Sequence, residues 1–176
     1  MHMILDQASF FKIFPNAVKH DEIYNHLSAA MNKYGITTET RESYFLAQLG
    51  HETAGFKYIK ELGSQAYFKR YDGRKDLGNT QAGDGARYAG RGFIQLTGRA
   101  NYASMSKKLG YDLVNTPELA CQPKIAALIA GQYWEDRGIN VYCDKKDFRK
   151  VTKLINGGYN GLSDRIHYLE LLSKHY

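Results

Sequence analysis

The sequence predicts a mostly α-helical fold. Apolar residues recur at helical spacing between residue types that begin and end helices, whereas residues 93–96 are the best run for a β-strand. Only three prolines occur, and two of them, Pro117 and Pro123, stand near expected helix starts. The chain has 176 residues and no internal repeat, so we expect one domain over residues 1–176.

Caps and apolar stripes set the expected helix boundaries. The second segment carries an apolar stripe that stops at Gly35, a residue type common after helix ends. Thr37 or Thr38 can cap the third segment, and Glu39 and Glu42 suit its positive N-terminal end. The seven predicted helices cover residues 7–14, 21–34, 39–51, 99–109, 123–138, 146–155 and 163–172.

Residues 63–92 lack this periodicity. The segment is rich in Gly, Asp, Arg and Tyr, and a long irregular loop inside a compact domain usually serves a function. Further along, Thr-Pro-Glu at residues 116–118 gives a cap, a first-turn proline and a first-turn acid in the order of a helix start. We therefore expect an irregular, functional middle segment between two helical parts.

The charge balance indicates attraction to polyanions. The chain has 24 Lys and Arg against 18 Asp and Glu, a formal net charge of +6, which suits nucleic acid, anionic lipid or an anionic cell wall. The basic residues are dispersed, so we expect no nucleic-acid partner. No apolar stretch reaches about 18 residues, so we expect no membrane span and no stable membrane association.

Three smaller features leave alternatives open. Cys121 and Cys143 are too few for a disulfide scaffold, and they form either one bridge or two free thiols. The 14 tyrosines suit sugar surfaces, and they equally suit ordinary amphipathic packing. The N-terminus lacks a basic start followed by an apolar run, so we expect no secretory signal.

A carboxylate stands where the third predicted helix ends, in the stretch AQLGHETAGF. Glu52 shares a helix face with Phe45 and Leu49. That face is expected to point inward, because polar residues such as Glu42 and Gln48 occupy the opposite one. A partly buried carboxyl group has a raised pKa, as a general acid requires. Alternatively, the helix end frays and Glu52 faces solvent.

A second carboxylate, Glu61, follows nine positions later. Gly55 breaks the helix, so the chain can turn and hold Glu61 across a cleft. Carboxyl groups roughly 6.5–9.5 Å apart suit inverting glycoside hydrolysis, and a separation of about 5 Å suits the retaining route. Alternatively, Glu61 is a surface residue paired with Lys57 or Lys60. A zinc motif H-E-x-x-H is excluded because Gly55 stands in place of the second histidine.

Three blocks of the chain resemble glycoside hydrolase family 19, which contains chitinases and the lysozyme-like endolysins of bacteriophages. These blocks are FLAQLGHETAGF, YAGRGFIQLTGRANY and INGGYNGLSDR, and they span about residues 37–170 in the family's order. The resemblance implies a lysozyme-like, two-lobed helical domain with a central cleft and at most a small β-hairpin. It also implies no separate wall-binding domain, no cofactor and no metal.

The resemblance assigns roles to individual residues. Glu52 matches the general acid, Glu61 the base that activates water, and Thr97 the hydroxyl residue that helps to hold this water. His51 and Arg165 match supporting residues, and Arg165 steadies the acidic cluster from behind the catalytic helix. The residues that match sugar contacts in the cleft are Gln95, Asn101, Tyr102 and Asn156.

One departure from the family pattern concerns substrate. Plant chitinases have an acidic residue shortly after Asn-Gly-Gly, where this chain has Tyr159 and Asn160, and they have longer loops around the cleft. Shorter loops imply fewer sugar subsites, which puts chitin-specific contacts in doubt. This departure fits a bulkier, peptide-substituted glycan.

The resemblance therefore implies a phage endolysin that hydrolyses the β-1,4 bond of peptidoglycan by inversion. We expect a monomer that waits in the bacterial host cytoplasm and reaches the periplasm and wall through a holin lesion. The first alternative is a chitinase that cleaves N-acetylglucosamine polymers. Two others are a non-catalytic glycan-binding module and a lytic transglycosylase, which needs no water-activating base.

Overall fold

The computed structural model describes residues 2–18 and 20–176, and this part of the chain is mostly helical. Two 3₁₀ turns, at Lys75–Leu77 and Pro117–Cys121, accompany the α-helices. No helix in the described ranges is long and apolar enough to cross a bilayer. The ten α-helices found there are α1 (Gln7–Ile13), α2 (His20–Lys33), α3 (Glu39–Glu52), α4 (Gln65–Lys69), α5 (Asp84–Arg87), α6 (Arg99–Leu109), α7 (Pro123–Asp136), α8 (Ile139–Asp144), α9 (Phe148–Asn156) and α10 (Leu162–Ser173).

Each of the seven predicted helices corresponds to a helix of the structure. The helix start predicted at residues 116–118 is a 3₁₀ turn, and α8 was missed because its six residues are too few for a periodic pattern. The expectation of an irregular segment at 63–92 is wrong in part, since α4, the first 3₁₀ turn and α5 lie there.

The β-strand predicted at residues 93–96 does not form. Arg91 makes isolated antiparallel bridges with Lys60 and with Leu96, and the residues between Arg91 and Leu96 form a turn. Gln95 in this turn has a φ of 56°, a left-handed conformation that interrupts an extended strand. These two bridges stay within the expectation of at most a small β-hairpin.

Two hydrophobic cores divide the described part of the chain into two lobes. The larger core collects α1, α2, α3 and parts of α8, α9 and α10. The smaller core lies around Tyr88, Tyr102 and Met105. Helix α7 joins the two cores, because Ile125 and Ile129 pack into the smaller core while other residues of α7 pack into the larger one. The two-lobed arrangement is therefore confirmed.

Helix α3 lies at the centre of the larger lobe, and it is buried on all sides from Glu42 to Gly50. The prediction that Glu42 and Gln48 mark a solvent face is therefore wrong. Glu42 is 1% exposed and accepts hydrogen bonds from the N–H groups of Ile4 and Leu5 and from the Tyr176 hydroxyl. Buried polar groups are tolerated when they are hydrogen-bonded in this way.

Both cysteines are free thiols, of which Cys143 is buried and Cys121 half-buried. The single bridge considered from the sequence is thus absent between these two described residues.

Candidate active site

The chain turns sharply after Glu52, the last residue of α3. Ala54, Gly55 and Phe56 are all left-handed, with φ values of 49°, 75° and 62°. A left-handed backbone costs a non-glycine residue about 1–2 kcal/mol, so the surroundings must hold this turn. Phe56 is fully buried, and its N–H donates to the Thr53 hydroxyl at 2.7 Å. The turn therefore fixes the direction in which the chain leaves Glu52.

A buried arginine holds Glu52. Arg165 is 1% exposed, and its Nη2 donates to Oε1 of Glu52 at 2.5 Å. The same guanidinium donates through Nη1 to Oε1 of Gln48 at 2.6 Å and through Nε to the Asn160 carbonyl at 3.1 Å. The Glu52 side chain is 21% exposed. Glu52 is therefore neither frayed into solvent nor fully buried, and its carboxylate is oriented from behind.

His51 ties the same helix end to α10. Its Nδ1 lies 2.7 Å from Oδ2 of Asp164. A Cβ added at Gly161 would come within 2.2 Å of the His51 ring, so the ring packs against this glycine at the start of α10. His51, which the family resemblance marks as a supporting residue, therefore contacts Asp164, the residue that precedes Arg165 in α10.

Glu61 is held by hydrogen bonds from neutral groups. Its Oε1 accepts from the Gly90 N–H at 3.1 Å, and its Oε2 accepts from the Tyr67 hydroxyl at 2.8 Å. Its own N–H donates to the Gly90 carbonyl at 2.7 Å. Within the described ranges, neither Lys57 nor Lys60 forms an ion pair with it. The alternative of a surface Glu paired with these lysines is therefore not what the structure shows.

Tyr67 was not identified from the sequence. Its hydrogen bonds with Tyr71 and with Glu61 raise its pKa, because they stabilise the protonated phenol. The only sequence signal for Tyr67 was the excess of tyrosine, which ordinary packing explains equally well. Tyr67 belongs to α4, inside the segment that was expected to be irregular and functional.

Gly90 is the point where three predicted site residues meet. A Cβ at this position would lie 2.8 Å from Oε1 of Gln95, 3.1 Å from Oε1 of Glu61 and 3.2 Å from Oγ1 of Thr97. The three side-chain oxygens therefore meet around one glycine, where a larger side chain would crowd them. The Thr97 hydroxyl donates to the Gln95 carbonyl at 2.8 Å, so its lone pairs remain to accept a hydrogen bond.

A groove of about 400 Å³ runs between the two lobes. Gln95, Thr97 and Asn101 line one side of it, and Tyr133 and Arg137 of the α7 end line another. Burial raises the pKa of Tyr133, and the nearby charge of Glu52 raises it further, whereas Arg137 lowers it. The groove therefore extends from the Thr97 loop to the C-terminal end of α7.

Tyr102 and Asn156, which were also predicted to contact sugar, are not among the residues that line this groove. Tyr102 is fully buried in the smaller core, and its hydroxyl donates to the Ala89 carbonyl at 2.6 Å while accepting from Arg91 at 3.1 Å. The interpretation of Tyr102 as a sugar contact is therefore corrected, because its side chain has no free surface. Asn156 is exposed at the end of α9, and its Oδ1 accepts from the Asn160 N–H at 3.2 Å.

The site thus holds two carboxylates of different character. Glu52 accepts a hydrogen bond from the Arg165 cation, whereas Glu61 accepts hydrogen bonds from two neutral donors, the Gly90 N–H and the Tyr67 hydroxyl. A carboxylate that is oriented by a hydroxyl and an amide can take a proton from a bound water molecule. Acid–base cleavage of a glycosidic bond needs two carboxyl groups, one on each side of the bond, and Glu52 and Glu61 are the two that the sequence motifs mark.

Comparisons with known proteins identify the family and the fold. The family model described as chitinase class I, for glycoside hydrolase family 19, matches residues 5–160. A protein of Haemophilus influenzae described as containing a glycosyl hydrolase family 19 domain is 34% identical, over 94% of both chains. An endochitinase of Arabidopsis thaliana is 31% identical over 80% of this chain and half of its own length. The crystal structure of chitinase C from Streptomyces griseus superposes with a TM-score of 0.77 at 26% identity, covering 97% of this chain and 77% of that one.

Proposed function

The chain belongs to glycoside hydrolase family 19, and from this premise we propose that it hydrolyses the β-1,4 bond of bacterial peptidoglycan by an inverting mechanism. In this proposal Glu52 is the general acid, which protonates the leaving oxygen. Glu61 is the general base, which takes a proton from water. The water attacks the anomeric carbon from the face opposite the leaving group, so the configuration inverts.

The meeting of Glu61, Gln95 and Thr97 around Gly90 is the observation that carries this mechanism. Water needs both a proton acceptor and groups that hold it in one orientation. Glu61 supplies the acceptor, and the Thr97 hydroxyl and the Gln95 amide supply hydrogen-bonding groups at the same place. The lack of a side chain at Gly90 keeps the three groups together, since a Cβ there would lie 2.8 Å from Gln95 Oε1 and crowd Glu61 and Thr97.

Charge supports peptidoglycan as the substrate. The net charge of +6 attracts the enzyme to an anionic wall at long range, more weakly at high ionic strength. A chitinase is the second candidate, because the plant and Streptomyces relatives carry that name. As part of the endolysin proposal, the enzyme acts as a monomer and reaches the wall from the host cytoplasm through a membrane lesion.

Isosteric substitution of each carboxylate tests the mechanism. Glu52→Gln and Glu61→Gln should each lower kcat by about 10²–10⁴-fold, the usual contribution of an acid or base. Both amides keep the shape of the side chain, so circular dichroism should remain close to wild type. The Tm of Glu61→Gln should also remain close, whereas Glu52→Gln removes the charge partner of the buried Arg165 and should lower Tm. Full activity of Glu52→Gln on purified walls would contradict the assignment of the acid.

Product identity separates the candidate functions. Purified peptidoglycan and chitin oligosaccharides would be digested in heavy-oxygen water, and the new reducing ends identified by mass spectrometry and NMR. The proposal predicts labelled N-acetylmuramic acid ends that appear first as the α-anomer. Anhydro-sugar products would indicate a transglycosylase, and rapid cleavage of chitin without wall lysis would favour the chitinase.

A further inference from the structure

We propose that Arg137 binds a carboxylate of the glycan in the groove and so selects an anionic, muramic acid-containing substrate over neutral chitin. This inference rests on the proposed function, because it concerns the substrate of the same groove. The residue was not marked by any motif of the sequence. Arg137 directly follows Asp136, the last residue of α7.

Arg137 is presented to the groove on an aromatic support. It is the C-cap residue of α7, it is exposed, and it lines the groove beside Thr97 and Tyr133. Its guanidinium carbon lies 3.3 Å from the centroid of the Tyr133 ring. A guanidinium held against an aromatic ring keeps N–H groups at its edge for a planar, bidentate partner such as a carboxylate.

The support itself is fixed in the groove wall. Tyr133 is half-buried, and its hydroxyl donates to the Ile155 carbonyl at 3.2 Å. The Tyr133 ring is therefore fixed by its backbone at one end and by this hydrogen bond at the other. Because Arg137 packs against this fixed ring, its side chain loses little additional conformational entropy when a ligand binds.

The other charges of the groove are already paired. Lys108 contacts Asp136 at 2.6 Å, and Asp136 also accepts from Gln132 at 2.8 Å. Arg137 forms no ion pair with any carboxylate in the described ranges. Burial raises the pKa of the neighbouring Asp136 carboxyl, but hydrogen bonds from Lys108 and Gln132 lower it overall, and the Arg137 charge adds only a small part. Among the described residues that line the groove, Arg137 is therefore the cation without a carboxylate partner, and it can take an external anion.

The chemistry of the two candidate glycans differs at this point. A chitin chain consists of neutral N-acetylglucosamine units. A wall glycan carries a carboxylate on each muramic acid, either free on the lactyl ether or displaced to the end of a peptide stem. One arginine beside the sugar path distinguishes the two through a charge-assisted hydrogen bond.

Three substrates and three variants test the inference. The substrates are intact peptidoglycan, glycan strands stripped of peptide by an amidase, and chitin oligosaccharides. The variants are Arg137→Gln, Arg137→Lys and the control Lys145→Gln, which removes an equal charge from a lysine that lies over Tyr142 outside the groove. We expect Arg137→Gln to lower kcat/KM on the carboxylate-bearing glycans on the order of fivefold to tenfold more than on chitin.

Arg137→Lys should recover part of this loss, and the control should retain the wild-type substrate ratio. A loss on stripped strands alone identifies the lactyl carboxylate, which is free only after the stem is removed, and a loss on intact walls alone identifies a carboxylate of the peptide stem. A loss on both but not on chitin shows that Arg137 accepts either carboxylate. An equal loss on all three substrates overturns the inference while the proposed function stands.

A binding measurement tests the role of Arg137 separately from catalysis, so it remains decisive if the proposed function is wrong. Glu52→Gln enzyme, with and without Arg137→Gln, would be titrated calorimetrically with a muramic acid-containing tetrasaccharide and with chitotetraose. We expect Arg137→Gln to weaken only the muramic acid ligand, and more at low than at high salt. Equal weakening of both ligands, or of neither, overturns the inference whatever the turnover experiments show.

Discussion

The two carboxylates of the site are held in opposite ways. Glu52 ends a helix that is buried on all sides, and a buried Arg165 fixes its carboxylate from behind. Glu61 lies outside any regular element, and its carboxylate is fixed by the Gly90 N–H and the Tyr67 hydroxyl. The first arrangement depends on the packing of the larger lobe, and the second depends on hydrogen bonds within loops.

This difference separates stability from activity. Substitutions behind Glu52 disturb buried charge and should cost folding free energy as well as catalysis. Substitutions around Glu61 disturb exposed or half-exposed hydrogen bonds, so they should cost catalysis with little change in folding. The following predictions test this separation, from the largest expected effect to the smallest.

Arg165→Met should destabilise the protein by about 3–5 kcal/mol, because it leaves the Glu52 carboxylate and the buried Gln48 without their cation. Urea unfolding would measure this loss. The control is Arg41→Met, which removes the solvent-exposed pair of Arg41 with Asp144 and should cost much less stability. Equal losses in the two variants would show that Arg165 does not hold the larger lobe together.

Gly90→Ala should lower kcat/KM about 10²-fold, because the new methyl group displaces the groups around Glu61. Its stability should change little, since the contacted atoms are the ends of flexible side chains. Gly158→Ala is the control, because the nearest contact of its added Cβ is at 3.7 Å. A wild-type rate for Gly90→Ala would remove the main support for Glu61 as the base.

Tyr67→Phe should lower kcat about threefold to tenfold with KM nearly constant, because one of the hydrogen bonds that orient Glu61 is lost. Steady-state kinetics on one soluble glycan would measure both parameters. Tyr71→Phe should have a smaller effect, since Tyr71 reaches Glu61 only through the Tyr67 hydroxyl. The reverse order of the two variants would mean that Tyr67 does not position the base.

Much of the larger lobe was predictable. Helices α2, α3 and α7 follow from apolar stripes and caps, because each is long enough to repeat its pattern. Three short helices escaped prediction, because their four to six residues are specified by contacts with the rest of the chain.

The motifs of the sequence identified the candidate site residues, but they did not show which of these residues are buried. Glu52, Glu61 and Thr97 were marked by resemblance to the family, and the structure places Glu61 and Thr97 at Gly90. The sequence position of Tyr102, in the same block, suggested a sugar contact, yet its ring is buried. A motif records which residues are neighbours in the chain, whereas exposure depends on what packs over them.

The sequence by itself determined the helical class, the family and the two carboxylates, because periodicity, caps and motif spacing are local properties. Only the tertiary structure decided that Glu42 and Gln48 are buried, that Tyr67 contacts Glu61, and that Arg137 enters the groove. Each of these facts depends on segments far apart in the chain. Burial and charge pairing are properties of the packed molecule, so no single stretch of sequence specifies them.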